Sequence, residues 1–417
     1  MSARGRFPSI EQWLLRKVYE SAGRPPICLI LKGGGEVSPS DAVPVANVIF
    51  SDRGTLMRQI LDPEMGFGEA YTQGRLEVEG DLVALLEAAY QSLSESGRRR
   101  WFSRLLSRWT AFTQSNSLRG SRKNIHHHYD LNTDFYRLWL DPELVYTCAY
   151  FPTASATLEE AQAAKLDYVC RKLQLQPGER VVEAGCGWGA LALHMASRYG
   201  VTVQAFNISH EQILFARRRA KELGLNRRVE FIEDDYRNIS GECDAFVSVG
   251  MLEHVGREHY KEVGSVIHRS LTKSGRGLIH FIGRNRPQPL SAWTRKRIFP
   301  GAYMPTVREA MEVLEPWDFS VLDIENLRPH YAKTLENWLE RFEKSAERVS
   351  EMFGPEFVRA WRLYLAGSVA GFRVGTLQLF QVVFARRACQ RIPGTRAHLY
   401  RDEQDVKQET KWIRAIS

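Results

Sequence analysis

The sequence predicts an α/β protein, a doubly wound parallel sheet preceded by a smaller α/β unit. Three observations carry this. From residue 181 to residue 282, short apolar runs alternate with helical stretches, the rhythm of parallel strands joined by crossover helices. The first run, Val181-Val182, leads into Glu183-Ala184-Gly185-Cys186-Gly187-Trp188-Gly189 and then a helix-like stretch at 190–196. Further acidic and histidine candidates, Asp234-Asp235, Glu253 and His280, fall at or near the carboxyl ends of later strands, where open α/β sheets bind ligands. A chain of 417 residues is long enough for two domains with sizeable cores.

In chain order, residues 10–19 read as a helix, and 27–31 and 46–50 as strands of buried length. Asp81 is placed to cap a helix carrying Leu82, Leu85, Leu86 and Ala89 on one face. No catalytic constellation is visible up to residue 90, so a binding or positioning role fits this part. From Glu95 to Lys123, eight basic residues meet one acid, with Trp101, Phe102, Leu105, Leu106, Trp109 and Phe112 interleaved. Two readings stay open for residues 98–112: a basic amphipathic helix on a membrane, or a linker helix whose aromatics pack on a domain while its arginines are solvated. Residues 115–124 are polar and read as a linker, which gives an expected partition into 1–114 and 125–417. Beyond it, Thr157-Leu158-Glu159-Glu160 is a capping-box pattern, followed by Leu166, Val169, Cys170 and Leu173 at helical spacing. Gln176-Pro177-Gly178 makes a turn before strands at 181–182, 201–206, 229–232, 245–249 and 277–282, with helices such as 210–223 and 257–271 between them. Polar residues from about 400 onward read as a surface tail.

The glycines of the 185–189 loop let the backbone approach a ligand and take φ > 0, and Glu183 can accept hydrogen bonds or pair with a cationic group. The spacing is E-x-G-x-G-x-G. It is not the dinucleotide G-x-G-x-x-G, and it lacks the Lys-Ser/Thr of a phosphate loop. It fits S-adenosylmethionine (SAM), whose charged part is an amino acid and a sulfonium rather than a phosphate.

Composition narrows the classes. Hydrophobic residues are 44% and charged residues 25%, ordinary for a soluble globular protein. The cysteines at 28, 148, 170, 186, 243 and 389 include no C-x-x-C pair, so neither a zinc site nor a disulfide framework is expected, and a reducing cytoplasm fits. The N-terminal residues lack the apolar core of a signal peptide, and no apolar run approaches membrane-span length. The run His126-His127-His128 invites a metal, but consecutive side chains diverge and no acidic partner pattern follows, so no metal is expected. The net charge of +8 favours an anionic partner, a membrane surface or a nucleic acid.

Six ordered blocks resemble the cyclopropane-fatty-acyl-phospholipid synthases and their mycolic acid cyclopropane synthase relatives. They are His128-Tyr129-Asp130-Leu131, Tyr146-Thr147-Cys148-Ala149-Tyr150-Phe151, Gly185-Cys186-Gly187-Trp188-Gly189, the stretch from Val249 to Gly256 around Glu253-His254, Ile279-His280-Phe281-Ile282-Gly283, and Tyr331 before Thr334-Leu335. The likeness also reaches Gly66-Phe67-Gly68-Glu69-Ala70-Tyr71, and so covers nearly the whole chain. The resemblance implies a Rossmann-like class I SAM methyltransferase domain preceded by a small lipid-binding domain. It implies that SAM donates one carbon to the cis double bond of an unsaturated phospholipid acyl chain, with a bound bicarbonate ion as base. By the same resemblance, the bicarbonate pocket maps onto Cys148, Glu253, His280, Ile282 and Tyr331. SAM contacts map onto Tyr129, Gly185, Gly187, Gly189, Asn207, Ser209, Gln212, Asp234 and Asp235, with Glu183 as the acid of the loop.

Two departures bear on mechanism and product. Ser368 stands where relatives often carry a cysteine once regarded as catalytic, so a nucleophilic cysteine there is not expected. The stretches 327–331 and 298–301 also resemble relatives that methylate the same alkene without closing a ring, so the product, cyclopropane or methyl branch, stays open.

The chemistry asks for such a pocket. An isolated alkene is a poor nucleophile, and its attack on a sulfonium methyl leaves a cation in the acyl chain. Ring closure then needs loss of a proton from the new methyl. The site must position both reactants, stay dry, and hold a base that does not capture the cation. The expected partners are therefore SAM, bicarbonate, an unsaturated phospholipid and an anionic membrane surface at the inner face of the cell membrane. No nucleic acid is expected, because no aromatic-plus-basic single-strand motif follows the fourth strand. An RNA or small-molecule methyltransferase and a non-catalytic lipid carrier are the rival classes. Oligomeric state stays open, with a homodimer among the states considered.

Overall fold

The computed structural model describes residues 9–39, 43–95 and 132–400. The basic segment 98–112, the linker 115–124, the histidine run 126–128, Tyr129 and the tail beyond 400 lie outside the described residues. Two compact units share the chain. One takes the residues up to Leu140 with Gly283–Thr306 and Arg328–Gln378; the other takes Asp141–Ile282, Val307–Leu327 and the chain from Leu379. The units interleave along the chain, whereas the partition into 1–114 and 125–417 is linear.

The first unit is built on β1 (Cys28–Leu31), β2 (Glu36–Val37), β3 (Ala46–Phe50) and β4 (Leu76–Gly80), in the order β2-β1-β3-β4. β1 and β3 are parallel, while β2 and β4 pair antiparallel at the edges. The helix Ile10–Ser21 forms because Ser9 caps it and Leu14, Leu15 and Val18 recur on one buried face. Asp81 caps Leu82–Glu95, accepting from Val83 N at 2.8 Å and Ala84 N at 3.2 Å. Leu15, Leu29, Val48, Phe50, Leu56 and Leu85 share one core with Trp293, Leu363, Ala366 and Ala370, so later segments complete what the N-terminal strands begin. The glycines of the 66–71 block have a packing cause. A Cβ on Gly68 would lie 2.4 Å from the Trp293 ring, and one on Gly66 would lie 2.8 Å from Gln59 Cα. Next to them, Glu69 pairs with Arg297 at 2.6 Å. The block therefore seats the short helix Ala292–Arg297.

The second unit holds β5 (Arg180–Ala184), β6 (Thr202–Asn207), β7 (Val229–Glu233), β8 (Cys243–Val249), β9 (Leu271–Gly283), β10 (Phe319–Asn326) and β11 (Gln378–Arg386). Their order is β10-β11-β9-β8-β5-β6-β7. The run from β9 to β7 is parallel throughout, and β10 pairs antiparallel with β11. Strand order reverses between β5 and β8, which opens a crevice at their carboxyl ends. The expected doubly wound sheet is present. The sequence pattern announces neither β10, which alternates but carries charges, nor β11, whose apolar run reads equally as buried helix. The capping box at Thr157 forms in both directions: Glu160 N donates to Thr157 Oγ1 at 3.2 Å and Thr157 N to Glu160 Oε2 at 2.8 Å. Two apolar clusters sandwich the sheet, one around Val181, Leu193, Ile213 and Phe231, the other around Phe246, Val263, Ile267, Phe281 and Phe384. Among the described residues, no helix is long and apolar enough to cross a membrane.

Candidate active site

The site grows from the crevice. Gly185, Gly187 and Gly189 adopt φ of +84°, +54° and +88°, the left-handed region that side chains rarely enter. Gly185 N and Cys186 N both donate to Phe206 O, at 2.9 and 3.0 Å, tying the loop to the end of β6. A Cβ on Gly189 would lie 2.6 Å from the Phe231 ring, so this glycine is demanded by packing. A Cβ on Gly187 would meet nothing within 4 Å, so packing against the protein does not demand this glycine. Cys186 is buried and belongs to the apolar cluster around Val181 and Leu193.

The other expected cofactor residues gather at the next strand ends. Asn207 Nδ2 donates to Gly187 O at 3.3 Å and to Gln212 Oε1 at 2.6 Å. Ser209 caps the helix His210–Glu222, and Gln212 is buried in its first turn. Asp234 N donates to Asn207 O at 3.1 Å, linking the end of β7 to this group. The carboxylates of Asp234 and Asp235 serve the following turn. Asp234 accepts from Asn238 at 2.8 Å, and Asp235 pairs with Arg237 at 3.1 Å. Glu183 is buried; it accepts from the backbone N–H of Ala192 at the start of the next helix, and its Oε2 has no hydrogen-bond partner among the described residues. Burial pushes its pKa up to about 8 against the pull of the Lys165 ammonium.

Four of the five expected bicarbonate residues belong to the second unit, and two of them, Glu253 and Ile282, are in direct contact. His280 on β9 pairs in register with Val249 at the end of β8, and its carbonyl accepts from Gly250 N at 2.8 Å. Glu253 opens a short helix after β8, and its Oε1 accepts from Ile282 N at 2.6 Å. Met251, between them, lies 3.1 Å from the Cβ position of Gly185. Cys148 is buried, with Sγ 3.1 Å from Ala149 O, and Thr147 beside it lies 3.3 Å from the Cβ position of Gly250. Tyr331 belongs to the first unit, on the helix Arg328–Lys344, where its ring packs 4.6 Å from Phe372 and edge-on to Trp338. Ser368 donates to Tyr364 O at 2.8 Å along its own helix, a packing arrangement. Tyr150 stacks on Tyr168 at 4.3 Å, which occupies one of its faces.

Electrostatics of the pocket follow from burial. Glu253 is 2% exposed, its Oε2 has no hydrogen-bond partner among the described residues, and desolvation raises its pKa to about 7. His280 is equally buried; desolvation first, then the charges of Lys165 and Lys172, lower its pKa to about 3, so the ring is neutral at physiological pH. A residue that the sequence reading missed orients that ring: Gln381 on β11, with Nε2 3.0 Å from His280 Nδ1. With Gln381 as donor, Nδ1 accepts and Nε2 carries the proton. Lys165, also missed, donates to Thr147 Oγ1 at 2.9 Å. Signals existed for both. Gln381 interrupts an apolar run, and Lys165 sits at the i+7 position of the face begun by Leu158. Glu253, His280 and Lys165 are thus all buried, and burial raises the pKa of the first and lowers those of the other two. Among the described residues, no group of three or more His, Cys, Asp or Glu is gathered as for a metal.

Glu253 leads to a pH prediction. Its native pKa lies above its ordinary value of 4.5, so between about 4.5 and 7 the folded state holds a proton that the unfolded state releases. Stability from this group is therefore lost as pH rises through that window. In thermal melts across pH 4.5–7, Glu253→Gln is expected to lose less stability with rising pH than the wild type. Parallel curves would overturn the assignment.

A family model described as mycolic acid cyclopropane synthetase matches residues 116–382. The chain is 32% identical over 370 residues to the probable fatty acid methyltransferase of Pseudomonas putida, covering 83% of this chain and 89% of that protein. It is 40% identical over 260 residues to the cyclopropane-fatty-acyl-phospholipid synthase of Escherichia coli strain K12, covering 62% of this chain and 66% of that protein. A solved mycolic acid cyclopropane synthase, in complex with SAH and CTAB, shares 32% identity at a TM-score of 0.61, over 63% of this chain and 98% of that one. With the parallel sheet and its glycine loop, these likenesses mean that the chain belongs to the mycolic acid cyclopropane synthetase family, the SAM-dependent methyltransferases that act on lipid chains.

Proposed function

We propose that the protein adds the methyl carbon of SAM to the cis double bond of unsaturated phospholipid acyl chains and closes a cyclopropane ring, with bicarbonate bound as base by Cys148, Glu253, His280, Ile282 and Tyr331. The carrying observation is the buried pairing of Glu253 with Ile282 N beside a neutral His280, next to the glycine loop. SAM, when bound, supplies an electrophilic methyl; bicarbonate, when bound, supplies a weak base. The chain does the rest. Gly185, Gly187 and Gly189 present backbone to the amino-acid end of SAM, while Asn207, Ser209, Gln212, Asp234 and Asp235 line the remainder; the family resemblance adds Tyr129, which lies outside the described residues. His280 Nε2 presents a proton to the anion, and Glu253 holds a proton at its carboxyl below about pH 7. Burial of these groups excludes water, which strengthens each of those interactions.

The N-terminal part is proposed to hold the phospholipid and meet an anionic bilayer. On the helix Ile10–Ser21, Trp13 is 50% exposed and flanked by exposed Arg16 and Lys17. On the helix Arg53–Leu61, exposed Met57 and Leu61 are flanked by Arg53 and Arg58. Tryptophan with basic neighbours suits the headgroup level of a membrane. Trp13→Ala with Lys17→Glu is expected to weaken co-sedimentation with phosphatidylglycerol vesicles by about tenfold or more at low salt, since each basic residue near such a surface contributes about 1 kcal/mol. Equal sedimentation would remove this surface from the proposal.

Methyl branching of the same substrate is the second reading. The likeness to a fatty acid methyltransferase over 83% of the chain favours it. Incubation with labelled SAM and either unsaturated phospholipid vesicles or RNA tests the class. Mass spectrometry and proton NMR of the lipid then separate a ring from a branch. Label in RNA, or none in lipid, overturns the proposal; a branched chain that keeps a double bond and shows no cyclopropyl protons selects the second reading.

A further inference from the structure

Lys165 lies on the inward face of the helix Leu158–Lys172, among Leu158, Ala161, Gln162, Leu166 and Val169, and is 2% exposed. Lysine is almost never so buried unless it is paired. Its Nζ donates to Thr147 Oγ1 at 2.9 Å. Gln162, on the preceding turn, donates its Nε2 to Val145 O at 3.2 Å and Thr147 O at 2.9 Å. Together they hold the hydroxyl and the backbone of the segment that carries Cys148. Thr147 rests on the end of β8, 3.3 Å from the Cβ position of Gly250, and Gly250 N donates to His280 O at 2.8 Å. A continuous chain of contacts thus runs from Lys165 through Thr147 and Gly250 to His280. The ammonium also acts electrostatically on its neighbours. It interacts with Asp141, Cys148 and Glu183, and it disfavours protonation of His280.

We propose that Lys165 is a positioning residue of the methyl-transfer site. Through Thr147 it clamps the Val145–Ala149 segment onto Gly250, so that Cys148 and His280 frame one anion-sized space, and its charge favours an anion there. This rests on the reading of Cys148, Glu253 and His280 as the bicarbonate pocket. A lysine that merely neutralises Glu183 would act on the cofactor loop and leave the 145–149 segment unaffected.

The test compares Lys165→Met, Lys165→Arg, Thr147→Val and the Lys165→Met/Thr147→Val double variant in the full chain. Amide hydrogen exchange over residues 145–151, SAM affinity by calorimetry and the bicarbonate concentration for half-maximal rate are measured. Lys165→Met and Thr147→Val are each expected to raise exchange in that segment and the half-saturating bicarbonate by about tenfold, the scale of losing a hydrogen bond to a charged group. SAM affinity is expected to change less than about twofold. The double variant is expected to be no worse than Lys165→Met, because both act through one contact. Lys165→Arg is expected to keep bicarbonate affinity better than Lys165→Met. If Lys165→Met does not fold, Lys165→Arg and Thr147→Val carry the comparison of exchange against bicarbonate. Additive losses in the double variant, or unchanged exchange with SAM affinity lost, overturn the clamp. If the wild type shows no bicarbonate dependence, the pocket reading fails on its own, and the exchange measurements still decide the clamp.

Discussion

His280→Ala is expected to lower turnover by on the order of 100-fold or more, while SAM affinity stays within about twofold. The ring is neutral because burial and the charges of Lys165 and Lys172 hold its pKa near 3, so the role proposed for it is that of a donor rather than a base. With Gln381 Nε2, 3.0 Å away, as donor to Nδ1, the ring Nε2 is left to present the proton. A fixed donor in a water-excluded pocket costs no reorganisation at the moment of reaction, and removing one such donor typically forfeits about 3–4 kcal/mol of transition-state stabilisation. Gln381→Leu is expected to fall between wild type and His280→Ala, because the ring remains but its tautomer and tilt are freed. Single-turnover rates with saturating SAM, alongside calorimetry, check both. Near-normal turnover of a folded His280→Ala would remove His280 from the site.

The second large effect separates two glycines of one loop. Gly187→Val is expected to weaken SAM binding by on the order of 100-fold, about 3 kcal/mol. The fold is expected to survive at a cost of about 1–2 kcal/mol of backbone strain, because the new Cβ meets no protein atom within 4 Å. The branched side chain would fill the space assigned to the cofactor, at a φ of +54° that also resists β-branching. Gly189→Val is expected to act on the fold. Its Cβ would lie 2.6 Å from the Phe231 ring and 3.0 Å from Ala216 Cβ, at a φ of +88°. Overpacking and backbone strain together cost roughly 2–5 kcal/mol. Thermal melts and calorimetry on the two variants check the contrast. Unchanged SAM affinity in Gly187→Val would refute the assignment of the loop.

Much of this architecture is legible along the chain. The glycine loop is readable because a strand, an acid and three glycines before a helix form a local pattern. Asp81 and Thr157 are readable as caps because capping is decided within four residues. The strands β5 to β9 follow from apolar runs separated by helical periodicity. β11 is different. Its run of buried residues carries no period that distinguishes strand from helix, and its place between β10 and β9 makes it a strand. The glycines at 66 and 68 carry no reason of their own along the chain; it lies in their partners, Gln59 and Trp293, the latter remote in sequence.

The sequence by itself determined the class of fold and the position of the glycine loop, since each rests on short-range order, whereas Cys148, Glu253, His280 and Ile282 were marked out by resemblance to a family. Tertiary structure alone decided that Glu253 holds its proton to about pH 7, that His280 stays neutral, and that Lys165 reaches Thr147 and Gln381 reaches His280. The physical reason is desolvation. What a titratable group costs to charge depends on which distant segments cover it, and coverage is set by packing, not by neighbours in the chain.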